Sequence, residues 1–331
     1  MKRIRVTYVI GIALLFCIAT NKADAQMFPS GGLPMLYNGG FAGEAGDHRL
    51  VFASKLNFMN FDNLRSRTSH TISYDAFMPS LRSGVGVMTG FMSDHYNPTD
   101  SLNWELRNPF FSVAFSPKLS FKGKWTFAPF VDFQFVHSRS TGYYRPNRAS
   151  SPMLGINSRY TIRTGFLLNT EKGYVGFTAI PFERTSAYEP RYNYRFNSSF
   201  PGADSTIFIL QLGRTFQKKP DSKFSFTPQV AVSWYKENSR HYFGLVDLNL
   251  AFRFRRFHTG IGAGGIQFAY NWDRLRVGTA LYYSRPFSRS GHNTVVNGQQ
   301  ETVRAYWYIQ FLSLRYLIEG KKSGVLKSET F

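Results

Sequence analysis

The residues with most chemical potential near neutral pH are seven histidines: His48, His70, His95, His137, His241, His258 and His292. Imidazole can ligate a metal or carry a proton. Metal chemistry needs several ligands at set spacings, and no HExxH or other close ligand pair occurs. Asp47-His48 and Asp94-His95 are adjacent pairs in or near links, where no metal site is expected. His137-Ser138 sets a base beside a hydroxyl at the expected outer end of a strand, but hydrolysis also needs an orienting acid that the sequence does not name. GIGAGG at 260–265 has the glycines of a nucleotide loop. No helix pattern follows it and no acid stands about 20 residues on, so it reads as a tight hairpin. No metal and no cofactor are expected.

Two other groups of residues could bind a partner. GYYRPNR (142–148) and YEPRYNYRF (188–196) interleave tyrosine with arginine. Both types bring large amphipathic area and are enriched among interface anchors. Tyr143, Tyr144, Arg145, Tyr188, Arg191, Tyr192, Tyr194 and Arg195 are therefore candidate contacts for a protein cargo. The same composition suits lipopolysaccharide phosphates, sugars or a plain membrane interface. The second group is Arg49, Lys55, Asp75, Asp132, Arg159, Arg163, Asp247, Arg253 and Arg276. These fall on the polar side of stretches whose large apolar residues take alternate positions. Their mixed signs point to ion pairs across an enclosed lumen, or to the polar lining of a water-filled channel.

The elements behind these residues are strands. In KFSFTPQVAVSW (223–234), Phe224, Phe226, Pro228, Val230, Val232 and Trp234 share one side, and KWTFAPFVDFQF (124–135) repeats the layout. A period of two belongs to an extended chain. About fourteen such stretches follow residue 47: 48–58, 67–77, 83–92, 109–121, 124–137, 158–169, 173–182, 205–216, 223–235, 241–254, 256–263, 266–272, 275–284 and 303–317. A soluble sandwich could use them, but the links favour a membrane barrel. Tight links at 79–82, 121–124, 170–173, 253–256 and 273–274 alternate with long ones at 93–108, 138–157, 183–204 and 285–302. Periplasmic turns and extracellular loops separate in this way. The predicted fold is an all-β transmembrane antiparallel barrel over 47–318. Pro129 and Pro228 cannot donate to a ladder, so each should mark a bulge or loosened pairing low in the wall.

The chain opens with a basic start (Lys2, Arg3, Arg5), an apolar run from Val6 to about Ala19, and Ala23-Asp24-Ala25. That is a secretory signal peptide over 1–25, cut after Ala25, rather than a retained anchor. Its loss removes the one cysteine and lowers the formal net charge of +20 by three. Such basicity commonly marks nucleic-acid binding. An exported chain meets instead an anionic envelope, so no nucleic-acid partner is expected. Residues 26–46 read as an N-terminal periplasmic segment and 319–331 as a periplasmic tail. Lys122, Lys124, Lys172, Lys218, Lys219, Arg255 and Arg256 give the inner turns a basic rim.

LPMLYNGGFAGEAGDHRLVFASKLNF (33–58) resembles the opening of the PorP/SprF family, which runs Asn-Pro-x-Tyr-Ala-Gly, a short polar link and a first strand ending near a Trp. Asn38, Phe41, Ala42 and Gly43 match that frame, Gly39 stands where the family has Pro, and Phe58 is near the Trp position. TSHTISYDAFMPSLRSGVGVMTGF (68–91) resembles the family's next hairpin, and NWDRLRVGTALYYS (271–284) the approach to its last strand. The resemblance implies a non-enzymatic outer-membrane barrel of the type IX secretion system. It implies roles in export, retention or surface display of cargo proteins, and contact with a periplasmic peptidoglycan-associated protein. A passive, anion-preferring porin is the alternative.

Overall fold

Large apolar residues on alternate positions can share one environment only if the backbone is extended. The computed structural model describes residues 33–45, 48–59, 65–99, 102–121, 125–144, 151–170, 172–188, 206–217, 222–237, 240–262, 265–272, 274–284, 295–296, 299–300 and 306–318, and it takes the extended solution nearly throughout. The wall strands are β1 (His48–Met59), β2 (Arg65–Met78), β3 (Ser83–Thr99), β4 (Leu102–Pro117), β5 (Trp125–Tyr144), β6 (Ser151–Thr170) and β7 (Gly173–Tyr188). They continue as β8 (Ile207–Arg214), β9 (Phe224–Glu237), β10 (Arg240–Phe254), β11 (Phe257–Gly262), β12 (Gly265–Trp272), β13 (Leu275–Ser284) and β14 (Tyr306–Ile318). Leu119–Phe121 prolongs β4 and Phe216–Gln217 prolongs β8, while Val295–Val296 pairs only with Gln299–Gln300.

Every wall strand pairs antiparallel with its sequence neighbours, from β1 with β2 through to β13 with β14. β14 then pairs with β1, setting Leu50 opposite Tyr316, so the ladder returns to its start. Closure leaves no unpaired edge, as hydrocarbon requires. The expected barrel is therefore present. Among the described residues no helix is long and apolar enough to cross a membrane.

Leu50, Ile72, Phe111, Phe115, Val131, Phe133, Ile162 and Phe268 all point outward and are exposed. The alternate positions Thr71, Ser73, Ser112, Asp132, Thr161 and Gln229 are buried inside. A water-soluble chain hides the first set, whereas a lipid-embedded one exposes it. Rings form a belt from Phe127 through Phe166, Phe177 and Phe208 to Trp234, with centroids 5.6, 5.8, 5.9 and 5.0 Å apart.

Several strands outrun their sequence-based bounds at the long-loop end. β3 reaches Thr99, β4 starts at Leu102, β5 reaches Tyr144 and β6 starts at Ser151, so the expected links 93–108 and 138–157 are largely strand. On β5 the outward apolar run covers Trp125 to Phe135 and then gives way to His137, Arg139 and Thr141. A bilayer needs only about 9–11 residues per strand. Beyond it both faces meet water, so alternation ends while hydrogen bonding continues.

The two prolines sit where pairing lapses on one side. Phe115 faces Val131 and Leu119 faces Phe127, which sets Pro117 against Pro129 at the break before Lys118. Pro129 itself faces Phe166 without a register shift. Pro228 keeps regular register with Leu250, while its other neighbour breaks at Thr215. No bulge falls at either proline. GIGAGG is a hairpin turn, with Gly262 paired to Gly265.

One segment is not wall. Residues 33–45 form a short helix α1 (Pro34–Tyr37) and a 3-10 turn (Gly39–Phe41) that are buried against the inward faces of the strands. Met35 and Phe41 pack with Met88, Ala114, Ala128, Leu167 and Tyr174. Leu33 packs on Val51 and Ala53. Of the N-terminal periplasmic segment expected over 26–46, residues 33–45 pack on the inward faces of the wall strands. Pro34, Met35, Leu36, Tyr37 and Phe41 have no alternation and so cannot join the wall. Apolar inward positions at Val51, Met88 and Leu167 give them a place to be buried instead.

Candidate functional site: the lumen clamp

The inward charges converge on this segment. Arg49 on β1 stands opposite Asp75 on β2, with Nε 2.7 Å from Oδ2. Arg49 Nη2 donates to the Phe41 carbonyl at 3.0 Å, and the Gly43 amide donates to Asp75 Oδ1 at 2.9 Å. The arrangement recurs three strands on. Arg163 on β6 stands opposite Asp132 on β5, with Nη2 2.5 Å from Oδ2. Its guanidinium donates to the carbonyls of Leu36 at 2.5 Å and Met35 at 3.3 Å, and Ser112 donates to Asp132 at 3.0 Å. The expected pairs across the lumen are thus pairs between neighbouring strands. Directly opposed residues have Cβ atoms about 5 Å apart, so their side chains meet without spanning anything.

A third cation completes the set. Lys118 is fully buried and donates to the Gly40 carbonyl at 2.5 Å and to Glu44 at 3.1 Å. Asn169 donates to the other Glu44 oxygen. Thr178 donates to the Tyr37 carbonyl at 2.9 Å. Asn38 works from the other direction: its amide nitrogen donates to the backbone oxygens of Phe166 at 3.1 Å and Phe177 at 3.3 Å. Its Oδ1 accepts from the Gly40 amide at 2.8 Å and so caps the 3-10 turn. Gly43 has φ +68°, and a Cβ there would stand 2.7 Å from Gly84 Cα. Burying cations is costly unless every donor is used. Here carboxylates and main-chain carbonyls share the donors of Arg49, Lys118 and Arg163, while the buried Arg163 Nε has no partner among the described residues. The clamp grips backbone, and that fixes the segment in place.

Glu44, Lys118, Asn169 and Thr178 were not singled out from sequence. Lys118 was within reach, because Ser112, Ala114, Ser116 and Lys118 form the inward series of one stretch. Asn38 was named only as part of the family frame, and its hold on the Phe166 and Phe177 carbonyls carried no sequence signal, since those atoms lie more than a hundred residues away. Of the other predicted lumen charges, Arg159 is partly buried, and Arg253 donates to Gln217 at 3.4 Å. Arg276 is partly buried on β13 opposite Asn271. Lys55 and Asp247 lie on β1 and β10, but their side chains are outside the described residues.

Tyr143, Tyr144 and Tyr188, expected in loops, are the last residues of β5 and β7. Arg145, Arg191, Tyr192, Tyr194 and Arg195 lie outside the described residues, as do Lys122, Lys124, Lys218, Lys219, the signal stretch 1–25 and the tail 319–331. His137 is mid-strand, not at a strand end, and its Nδ1 meets Ser158 at 2.9 Å rather than Ser138. His70 meets Ser54 in the same way at 3.0 Å. Both pairs are outward, where the apolar band gives way to polar residues.

The sequence model of the family described as type IX secretion system membrane protein PorP/SprF matches residues 28–285. The chain belongs to the PorP/SprF family. That match spans the lumen clamp and all wall strands up to β13, and it makes the chain an outer-membrane β-barrel associated with type IX secretion. No curated protein matches the sequence. Solved structures that resemble this PorP/SprF chain are also barrels. The toluene transporter TodX of Pseudomonas putida is 9% identical with a TM-score of 0.46, over 85% of this chain and 92% of that one. The β domain of the Bordetella autotransporter BrkA is 10% identical with a TM-score of 0.41, over 82% and 99%. The transport unit of the Escherichia coli autotransporter AIDA-I is 11% identical with a TM-score of 0.37, over 82% and 89%.

Proposed function

We propose that this PorP/SprF barrel is a non-enzymatic scaffold that retains or displays secreted proteins at the cell surface and does not act as an open pore. The observation that carries this reading is the backbone clamp. Arg49, Lys118 and Arg163 together donate to four carbonyls of residues 35–41. A segment held this way narrows the lumen and braces β1 to β7 into a rigid platform. The tall hairpins of β3 to β7 carry that platform beyond the bilayer, where Tyr143, Tyr144 and Tyr188 cap the strand ends. Cargo docks on these ends and on the tyrosine- and arginine-rich loops that join them, with lipopolysaccharide around them. The basic inner turns at Arg82, Lys172 and Arg214 face a periplasmic, peptidoglycan-associated partner.

Deleting residues 185–200 tests the cargo assignment. The barrel should still insert, and surface cargo should appear in the medium. Unchanged retention by a folded variant contradicts the assignment. A second reading, a porin, draws on the partly buried His258, Gln267, Asn271 and Arg276, which line the lumen on the sector away from the clamp.

A further inference from the structure

The sector β10 to β13 carries an apolar groove on its lipid-facing side. One cross-strand row runs Phe252, Thr259, Phe268, Thr279. Small residues between large rings leave a cavity of about 440 Å³. Phe252 and Phe268 belong to strands two apart, about 9.5 Å at the backbone, which leaves room for one polymethylene chain above Thr259. The next row toward the short turns holds Phe254 and Phe257, both strongly exposed.

At the foot of this groove three turns meet. The Arg255 amide donates to the Lys223 carbonyl at 2.6 Å, and the Asn271 amide donates to the Arg256 carbonyl at 2.8 Å. Lys223, Arg255, Arg256 and Arg274 are all exposed there. Arg255 lies 5.7 Å over the Phe254 ring, which aims its guanidinium along the groove mouth. Arg255 also holds φ +56°, a left-handed position that glycine or asparagine fills at lower cost. An arginine kept under backbone strain points to a task for its side chain.

We propose that this sector is a binding site for an anionic phospholipid of the inner leaflet, with the phosphate on the Lys223–Arg255–Arg256–Arg274 collar and one acyl chain in the groove. The two parts match the two ends of such a lipid, and here they are adjacent. The site is independent of cargo binding.

The test uses the full mature protein in phosphatidylcholine nanodiscs containing a minor fraction of phosphatidylglycerol, with retained lipid counted by native mass spectrometry. Arg255→Gly relieves the strain and should lower phosphatidylglycerol retention about fivefold, the worth of one interfacial cation. Thr259→Phe with Thr279→Phe fills the groove, leaves every cation and should lower retention comparably. Arg82→Gly, at another left-handed turn without the groove, should change nothing. Equal loss in Arg82→Gly would reduce the effect to general basicity and overturn the site. So would full retention in the groove-filled variant, or displacement of the lipid by millimolar inorganic phosphate.

Discussion

Asp75 and Asp132 each neutralise a buried arginine that also holds the lumen segment. Asp132→Ala leaves the Arg163 guanidinium without a carboxylate in a dry site, a loss of about 3–5 kcal/mol by the usual cost of breaking a buried pair. Urea unfolding of the protein in detergent, followed by tryptophan fluorescence, measures it. Adding Arg163→Met to Asp132→Ala should recover part of that loss, because no orphan charge remains. The same double variant should loosen residues 35–36, whose carbonyls lose their donor. A double variant no more stable than Asp132→Ala alone would mean that the arginine was not left stranded. Arg49, Asp75, Asp132 and Arg163 were legible as inward positions, because parity assigns a side to every strand residue. Their partners were not legible: Arg49 and Arg163 also donate to main-chain oxygens, and carbonyls have no letter in a sequence.

Among the elements, the lumen segment depends on a few exact backbone fits. Gly43→Ala places a methyl group against Gly84 at a left-handed residue, which costs about 1–2 kcal/mol even before the clash. Hydrogen exchange at residues 35–44 should then quicken about tenfold, the equivalent of roughly 1.4 kcal/mol, while the strand amides stay protected. Unaltered exchange would show that the turn is not seated as described. Strand identity was easily read from alternation, down to the inner turns at 79–82 and 255–256. The upper halves of β3 to β6 were not, since Arg107 and Glu105 pair on the outside of β4 in water and the apolar code has ended there. The segment 33–44 was read as periplasmic for a related reason. Its residues have no periodicity of either kind, and only the three-dimensional placement of Met88, Ala114 and Leu167 shows what covers them.

For the whole molecule, membrane insertion rests on an apolar exterior and a closed ladder, and both were foreseeable from the sequence. What occupies the interior was not, because a lumen is shared by strands far apart in the chain. A barrel of about this strand number without an occupant would leave an aqueous passage. The account holds instead that residues 33–44, gripped by Arg49, Lys118 and Arg163, keep this passage from conducting. Lys118→Ala should weaken that grip, seen as intermittent current, because Gly40 and Glu44 lose their shared donor. The most direct test is planar-bilayer recording of the purified mature protein beside a variant lacking residues 33–44. The scaffold account predicts a silent parent and a conducting deletion variant, whereas a steady anion-selective current from the intact protein would contradict it.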